Sequence, residues 1–209
     1  MNIEELINFE NDIAKIYENG NIKAPIHLRS GNEKILIDIF KDINKEDYVF
    51  STWASHLHCL LKGIPKHLVK EAILDGRSIT LNFPDYNFYS SAIVGGTVPI
   101  AVGTAYAIKK QNKNNRVFCF LGDMGFQTGI AYESIKYAIG NDLPITFIVE
   151  DNNKSVDTPT SMAWKIETYE IFRLFNEMIK NYNKDYIKII FYRYQSKYPH
   201  SGTGNFVEF

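Results

Sequence analysis

Apolar residues near the start of the chain recur at helical spacing. Ile3, Leu6, Ile7, Ile13 and Ile16 mark one face and Gly20 follows them, so residues 1–20 are read as an amphipathic helix. A loop around Pro25 leads to a second helix expected from about Asn32 to Lys41. The run from Asp47 to Thr52 reads as a short strand. Helical spacing resumes over His56–Leu61 and over Pro65–Leu74, where Pro65 suits a first helical turn. From Gly76 to Ser91 polar and aromatic residues alternate without a period, which predicts a long loop, a kind of segment that is often functional. Gly95-Gly96-Thr97-Val98-Pro99 then introduces a helix at Ile100–Lys110 whose alanines and Gly103 permit close packing.

The next segment fixes the fold class. Arg116–Leu121 is an apolar run of strand length, a helix follows from about Gly129 to Ile139, and Pro144–Val149 reads as a second buried strand. Strand, helix, strand in that order predicts two parallel strands joined by a crossover. A helix at about Thr168–Tyr182 and a strand at Ile187–Tyr192 extend the pattern. The expectation is an α/β protein, a doubly wound, mostly parallel sheet flanked by helices. It is read as one domain over residues 1–209, with an N-terminal helical arm at about 1–45 and a flexible C-terminal tail at about 195–209.

Composition narrows the function classes. With 45% hydrophobic residues in 209, the chain is long enough to bury a continuous core. Net charge is −1 and the basic residues are scattered, which argues against nucleic acid as a partner. No apolar run reaches membrane-spanning length, and the acidic N-terminus is unlike a signal peptide. Cys59 and Cys119 stand alone in apolar surroundings and read as reduced, buried thiols of a cytoplasmic protein.

Ligand-binding groups in such sheets gather at the carboxyl ends of the strands. Gly122-Asp123-Met124-Gly125 follows the first strand, and Asp151-Asn152-Asn153 follows the second. A carboxylate and a carboxamide at neighbouring strand ends are hard oxygen ligands, suited to Mg²⁺ completed by phosphate and water. Gly122 would permit a tight turn, and the N–H groups of Met124 and Gly125 would donate to phosphate. A Gly-Asp-x-Gly turn alone equally fits an ordinary strand-closing turn; the Asn beyond a second buried strand is what singles it out.

Together with Gly129, Glu133, Leu143-Pro144 and Glu150-Asp151-Asn152, this turn resembles the thiamine-diphosphate motif of 2-oxoacid dehydrogenases. The alpha subunits of pyruvate, branched-chain and acetoin dehydrogenase complexes are the most similar. Ile26-His27-Leu28 with Gly31-Asn32-Glu33, the loop from Ser51 to Cys59, Ile93-Val94-Gly95-Gly96 and Tyr192-Arg193-Tyr194 extend the likeness over about residues 25–205. The resemblance implies the thiamine-diphosphate-binding fold. It also implies Mg²⁺ held by Asp123, Asn152 and the Lys154 carbonyl, and a cofactor contacted by Trp53, Ala92, Val94, Gly122, Met124 and Gly125. His56 and His200 fall where the family places catalytic histidines. A small-molecule substrate, a 2-oxoacid or an acetoin-like compound, follows from the same likeness. So does a beta-type partner whose pyrimidine domain supplies the activating glutamate, in a hetero-oligomer of two of each subunit. Two alternatives remain open: half of a split transketolase-like ketol transferase, and a noncatalytic assembly paralogue.

The chain departs from the family in places. Ala54 stands where an arginine is usual, so a charge-assisted contact is missing unless Lys62, Arg77 or a partner residue replaces it. Met124 takes a usual glycine position, at little cost if its φ is negative. The insertion Gln195–Pro199 blurs the register of His200.

Overall fold

The computed structural model of the chain describes residues 1–208; Phe209, the end of the expected tail, lies outside the described residues. In chain order the elements are α1 (Ile3–Glu18), α2 (Glu33–Phe40), β1 (Tyr48–Ser51), α3 (His56–Leu61), α4 (Lys66–Ala72), β2 (Asn82–Phe83), β3 (Phe88–Ser90), α5 (Thr97–Lys110), β4 (Val117–Gly122), α6 (Asp123–Phe126), α7 (Gly129–Gly140), β5 (Ile145–Asp151), β6 (Lys154–Ser155), β7 (Thr158–Pro159), α8 (Thr160–Trp164), α9 (Thr168–Asn181) and β8 (Lys188–Arg193). They form two compact units. A helical unit comprises residues 1–45, 51–92 and the chain from Tyr194 onward, and a sheet unit comprises Glu46–Phe50 and Ile93–Arg193.

The sheet unit realises the strand–helix–strand pattern. β1, β4, β5 and β8 are all parallel, with Val49 opposite Phe118, Gly122 opposite Glu150, and Glu150 opposite Tyr192. Every residue of β5, including Thr146, Glu150 and Asp151, and the first five of β4 are buried, as in strands covered on both faces. Helices α5, α7 and α9 supply cover: α5 packs on β4, α9 on β8, and α7 touches both helices. The architecture is therefore the expected mostly parallel sheet flanked by helices. α5 begins at Thr97 rather than Ile100, because Pro99 fits within a first helical turn where no N–H is needed.

The helical unit starts with a capping box. Asn2 accepts the Glu5 N–H at 2.9 Å, and Glu5 accepts the Asn2 N–H at 2.7 Å. Its buried stripe is Leu6, Phe9, Glu10, Ile13 and Ala14, while Ile3 is exposed; the expected face was therefore rotated, and it omitted a buried acid. The expected loop at Gly76–Ser91 instead folds into short turns and the antiparallel β2–β3 hairpin, reversed at Asn87, whose φ is 52°. Asparagine tolerates this left-handed conformation better than most residues. Residues 195–208 carry no helix or strand. They run beside α1 and residues 26–31: Gly202 N–H bonds the Ile26 carbonyl at 2.9 Å and Asn205 bonds Glu18 at 2.6 Å. Gly31 is needed there, since its φ is 94° and a Cβ would lie 2.4 Å from the Gln195 carbonyl oxygen. No helix among the described residues is long and apolar enough to cross a membrane.

Candidate functional site

Parallel pairing of β4 and β5 brings their carboxyl ends to one level, so Asp123 and Asn152 leave neighbouring strands at the same edge. Asp123 opens the short helix α6 and is only 2% exposed. Its Oδ2 accepts a hydrogen bond from the Thr160 hydroxyl, and the backbone N–H groups of Met124 and of Asp123 itself also reach the carboxylate. Burial nevertheless pushes the Asp123 carboxyl up to about 6, against those hydrogen bonds and with help from the charge of Asp151. A carboxylate withdrawn from water beside a second carboxylate is an environment that a cation would relieve.

Asp151 is otherwise committed. Its Oδ2 accepts from Arg193 Nε at 2.8 Å and its Oδ1 from the Asn153 N–H at 2.8 Å. Asn152, half-buried, accepts the Lys154 N–H on Oδ1 at 3.1 Å, a local turn that starts the β6–β7 hairpin. Asp123 and Asn152 together with a backbone carbonyl would offer all-oxygen donors, the chemistry Mg²⁺ takes. The residues present thus fit the group the sequence implies.

Around them the phosphate-facing candidates gather. A Cβ on Gly122 would meet nothing within 4 Å, whereas its φ of −76° and ψ of 167° are open to any residue. Gly122 therefore supplies room, and the tight turn expected of it is absent. Met124 lies within α6 and has no positive φ, so its replacement of a glycine is unstrained. Val94 comes to 3.9 Å from the Cβ position of Gly125, which places it against this turn. Gly95, φ 71°, lies so close to Ile130 and Thr128 that a Cβ would clash at 2.9 Å. The indole N–H of Trp164 lies 2.7 Å from the Met124 sulfur. Thr160 and Trp164 were missed in the sequence because nothing in their spacing sets them apart from a polar loop.

The remaining candidates, Trp53, His56, Ala92 and His200, belong to the helical unit. His56 is 1% exposed; Nδ1 bonds Glu10 at 3.0 Å and Nε2 bonds the Ser78 hydroxyl at 2.8 Å. The proton-transfer role expected of His56 thus finds both ring nitrogens engaged in a buried network, whose acid also accepts the Arg29 N–H at 3.0 Å. His58 is likewise buried, on Ser51 at 2.8 Å. His200 pairs with His27, Nε2 to Nε2 at 3.2 Å, and Trp53 packs edge-on against both rings. Burial foremost, then the neighbouring charges of His200, His56 and Arg29, lowers His27 to about 4. Ala92 is exposed.

The two cations expected to stand in for the arginine absent at position 54 make other contacts. Lys62 Nζ is bound to the carbonyls of Asn44 and Lys45, and Arg77 pairs with Asp75 at the surface. Arg29 does reach it: Nε bonds the Ala54 carbonyl at 2.7 Å and Nη1 the Tyr194 hydroxyl at 2.8 Å.

Open parallel α/β sheets bind ligands at the carboxyl ends of their strands, and here an acid and an amide stand at two adjacent ones. Within that class the chain belongs to the dehydrogenase E1 component family, which it matches over residues 1–171. It is 31% identical to the pyruvate dehydrogenase E1 component subunit alpha of Rickettsia bellii over 165 residues, covering 74% of this chain and 51% of that protein. It is 28% identical to the corresponding subunit of Porphyra purpurea over 166 residues, covering 71% and 48%. Identity is 25% over 169 residues to the alpha subunit of acetoin:2,6-dichlorophenolindophenol oxidoreductase of Bacillus subtilis, covering 76% and 51%. The chain thus spans about half the length of the curated relatives it matches. Its fold is similar to that of a Mycobacterium smegmatis protein proposed to be a thiamin diphosphate-dependent enzyme. There the TM-score is 0.50 and identity 18%, over 83% of this chain and 33% of that one.

Proposed function

We propose that this chain is the diphosphate-binding, alpha-type subunit of an enzyme that uses thiamine diphosphate and Mg²⁺ on a 2-oxoacid or an acetoin-like compound. The observation that carries the reading is Asp123, a buried carboxylate at a strand end beside Asp151, with the Asn152 amide leaving the next strand. Asp123, Asn152 and the Lys154 carbonyl would hold the cation, and Gly122, Met124 and Gly125 would line the diphosphate. Val94 would lie against the cofactor. When bound, thiamine diphosphate supplies the nucleophilic carbon and electron sink for cleavage next to a carbonyl. The chain's part is to bind, orient and neutralise charge. A proton-transfer role would fall to His200, whose Nε2 lies 3.2 Å from that of His27.

The same reading assigns a beta-type partner that contributes the activating glutamate, in an assembly of two of each subunit. Supporting it, α5 and α7 present Ile100, Tyr106, Ile130, Tyr132 and Tyr137 to solvent, apolar area of the kind a partner covers. The buried free thiols Cys59 and Cys119 suit a cytoplasmic setting.

Calorimetric titration with thiamine diphosphate and Mg²⁺ tests the site. Asp123→Ala and Asn152→Ala should each abolish Mg²⁺-dependent binding and leave the circular dichroism spectrum intact. Unchanged affinity in both variants would overturn the assignment.

A further inference from the structure

We infer that Thr160 is a positioning residue that assembles the cation site before a cation arrives, by tying Asp123 to the segment carrying Asn152 and Lys154. The inference rests on the magnesium reading above and extends it to a residue outside the ligand set.

Thr160 opens α8, directly after the β6–β7 hairpin, and is 1% exposed. It makes two bonds in two directions. Its hydroxyl donates to Asp123 Oδ2, and its backbone N–H bonds the Asn153 carbonyl at 3.2 Å. One residue therefore joins the acid at the end of β4 to the backbone between Asn152 and Lys154. The hairpin is what returns the chain to this point. Lys154 pairs with Pro159 and Ser155 with Thr158, and Asn152 caps the Lys154 N–H at 3.1 Å. Its turn places Val156 at a φ of 56°, a conformation a β-branched residue adopts only when its surroundings impose it.

Fixing one carboxylate oxygen removes the rotation of the Asp123 head group, so the other oxygen is offered in one orientation. Hydrogen bonds to a ligating carboxylate act in this way, and losing one typically weakens metal affinity about 10–100-fold. Without the hydroxyl, a cation would have to order both the acid and the hairpin as it bound.

Mn²⁺, which accepts the same oxygen donors, is the probe. Its binding in the presence of thiamine diphosphate is followed by the electron paramagnetic resonance of the free ion. Thr160→Val replaces the hydroxyl by a methyl group of similar size and should weaken Mn²⁺ about 10–100-fold, whereas Thr160→Ser, which keeps the hydroxyl, should stay within about threefold of wild type. In the metal-free protein, amide hydrogen exchange over residues 152–160 should speed up in the valine variant alone, with α9 unchanged. Thr160→Ala gives the same readings should the valine variant fail to fold. Wild-type affinity and exchange in the valine and alanine variants would overturn the role of Thr160, while loss of binding in Asp123→Ala kept the site itself. Undiminished Mn²⁺ binding in Asp123→Ala would overturn the site and, with it, this inference.

Discussion

Two buried acids, one in each unit, sit in opposite chemical situations. Glu10 meets an imidazole through one oxygen and the Arg29 N–H through the other, so both its oxygens are satisfied within the helical unit. Asp123 meets a hydroxyl, two backbone N–H groups and the repulsion of Asp151, and its carboxyl is driven up to about 6. The first acid completes a structure, and the second lacks a positive charge. A satisfied buried network rigidifies the fold, whereas an under-compensated one is where a ligand gains most.

The largest effect that separates them is on stability. Glu10→Ala strands the Nδ1 of His56 and the N–H of Arg29 away from water, at about 1–3 kcal/mol for each unmade bond, plus a cavity. Urea denaturation should show a loss of about 3–5 kcal/mol. Asp123→Asn, by contrast, should leave the metal-free protein as stable at neutral pH, or more so. A carboxyl whose folded pKa is raised contributes stability below its ordinary range, and that contribution is lost as pH rises through about 6. A cost at Asp123 equal to that at Glu10 would erase the distinction.

The contrast also explains what the sequence made legible. β4, β5 and their crossover helix could be read because fully buried parallel strands are near-continuous apolar runs, as Val117–Leu121 is and as Ile145–Val149 is but for Thr146. Asp123 and Asn152 follow those runs directly, so strand ends located them. The Glu10–His56–Ser78 network was hidden because its members lie far apart in sequence, and an acid inside a helical stripe looks like its polar edge. The β2–β3 hairpin escaped notice because strands of two and three residues are too short to show a period. Thr160 escaped because its partner is Asp123, across a hairpin whose turn residue, Val156, is a poor turn former.

A smaller effect concerns acid. His27 is buried and lowered to about 4, against an ordinary histidine value near 6.5. A histidine with a depressed folded pKa contributes stability above its unfolded pKa, and loses it as pH falls through the folded value. Wild-type stability should therefore decline as pH drops from about 6.5 to about 4, by up to about 3 kcal/mol in total. His27→Gln should flatten that slope. A slope that persisted in the variant would show that the acid sensitivity arises elsewhere.

The smallest effect is the most direct test of whether the sheet unit gives up stability to keep its site assembled. Val156 holds a left-handed φ of 56° at the tip of the β6–β7 hairpin, where a branched Cβ crowds the following carbonyl. The residue is 55% exposed, so little packing offsets the strain. Asparagine accepts this conformation more readily, and Val156→Asn should stabilise the protein by about 1 kcal/mol in thermal denaturation. If the strain is incidental, Mn²⁺ affinity in the presence of thiamine diphosphate will not change. If the hairpin is under tension because Thr160 pulls its far end towards Asp123, relieving the tip should tighten the turn and raise Mn²⁺ affinity by about twofold, a share of the same 1 kcal/mol. Destabilisation instead of a gain would mean that Val156 makes contacts worth more than its backbone strain, and the turn would have to be counted as packed structure on the same footing as the Glu10 network.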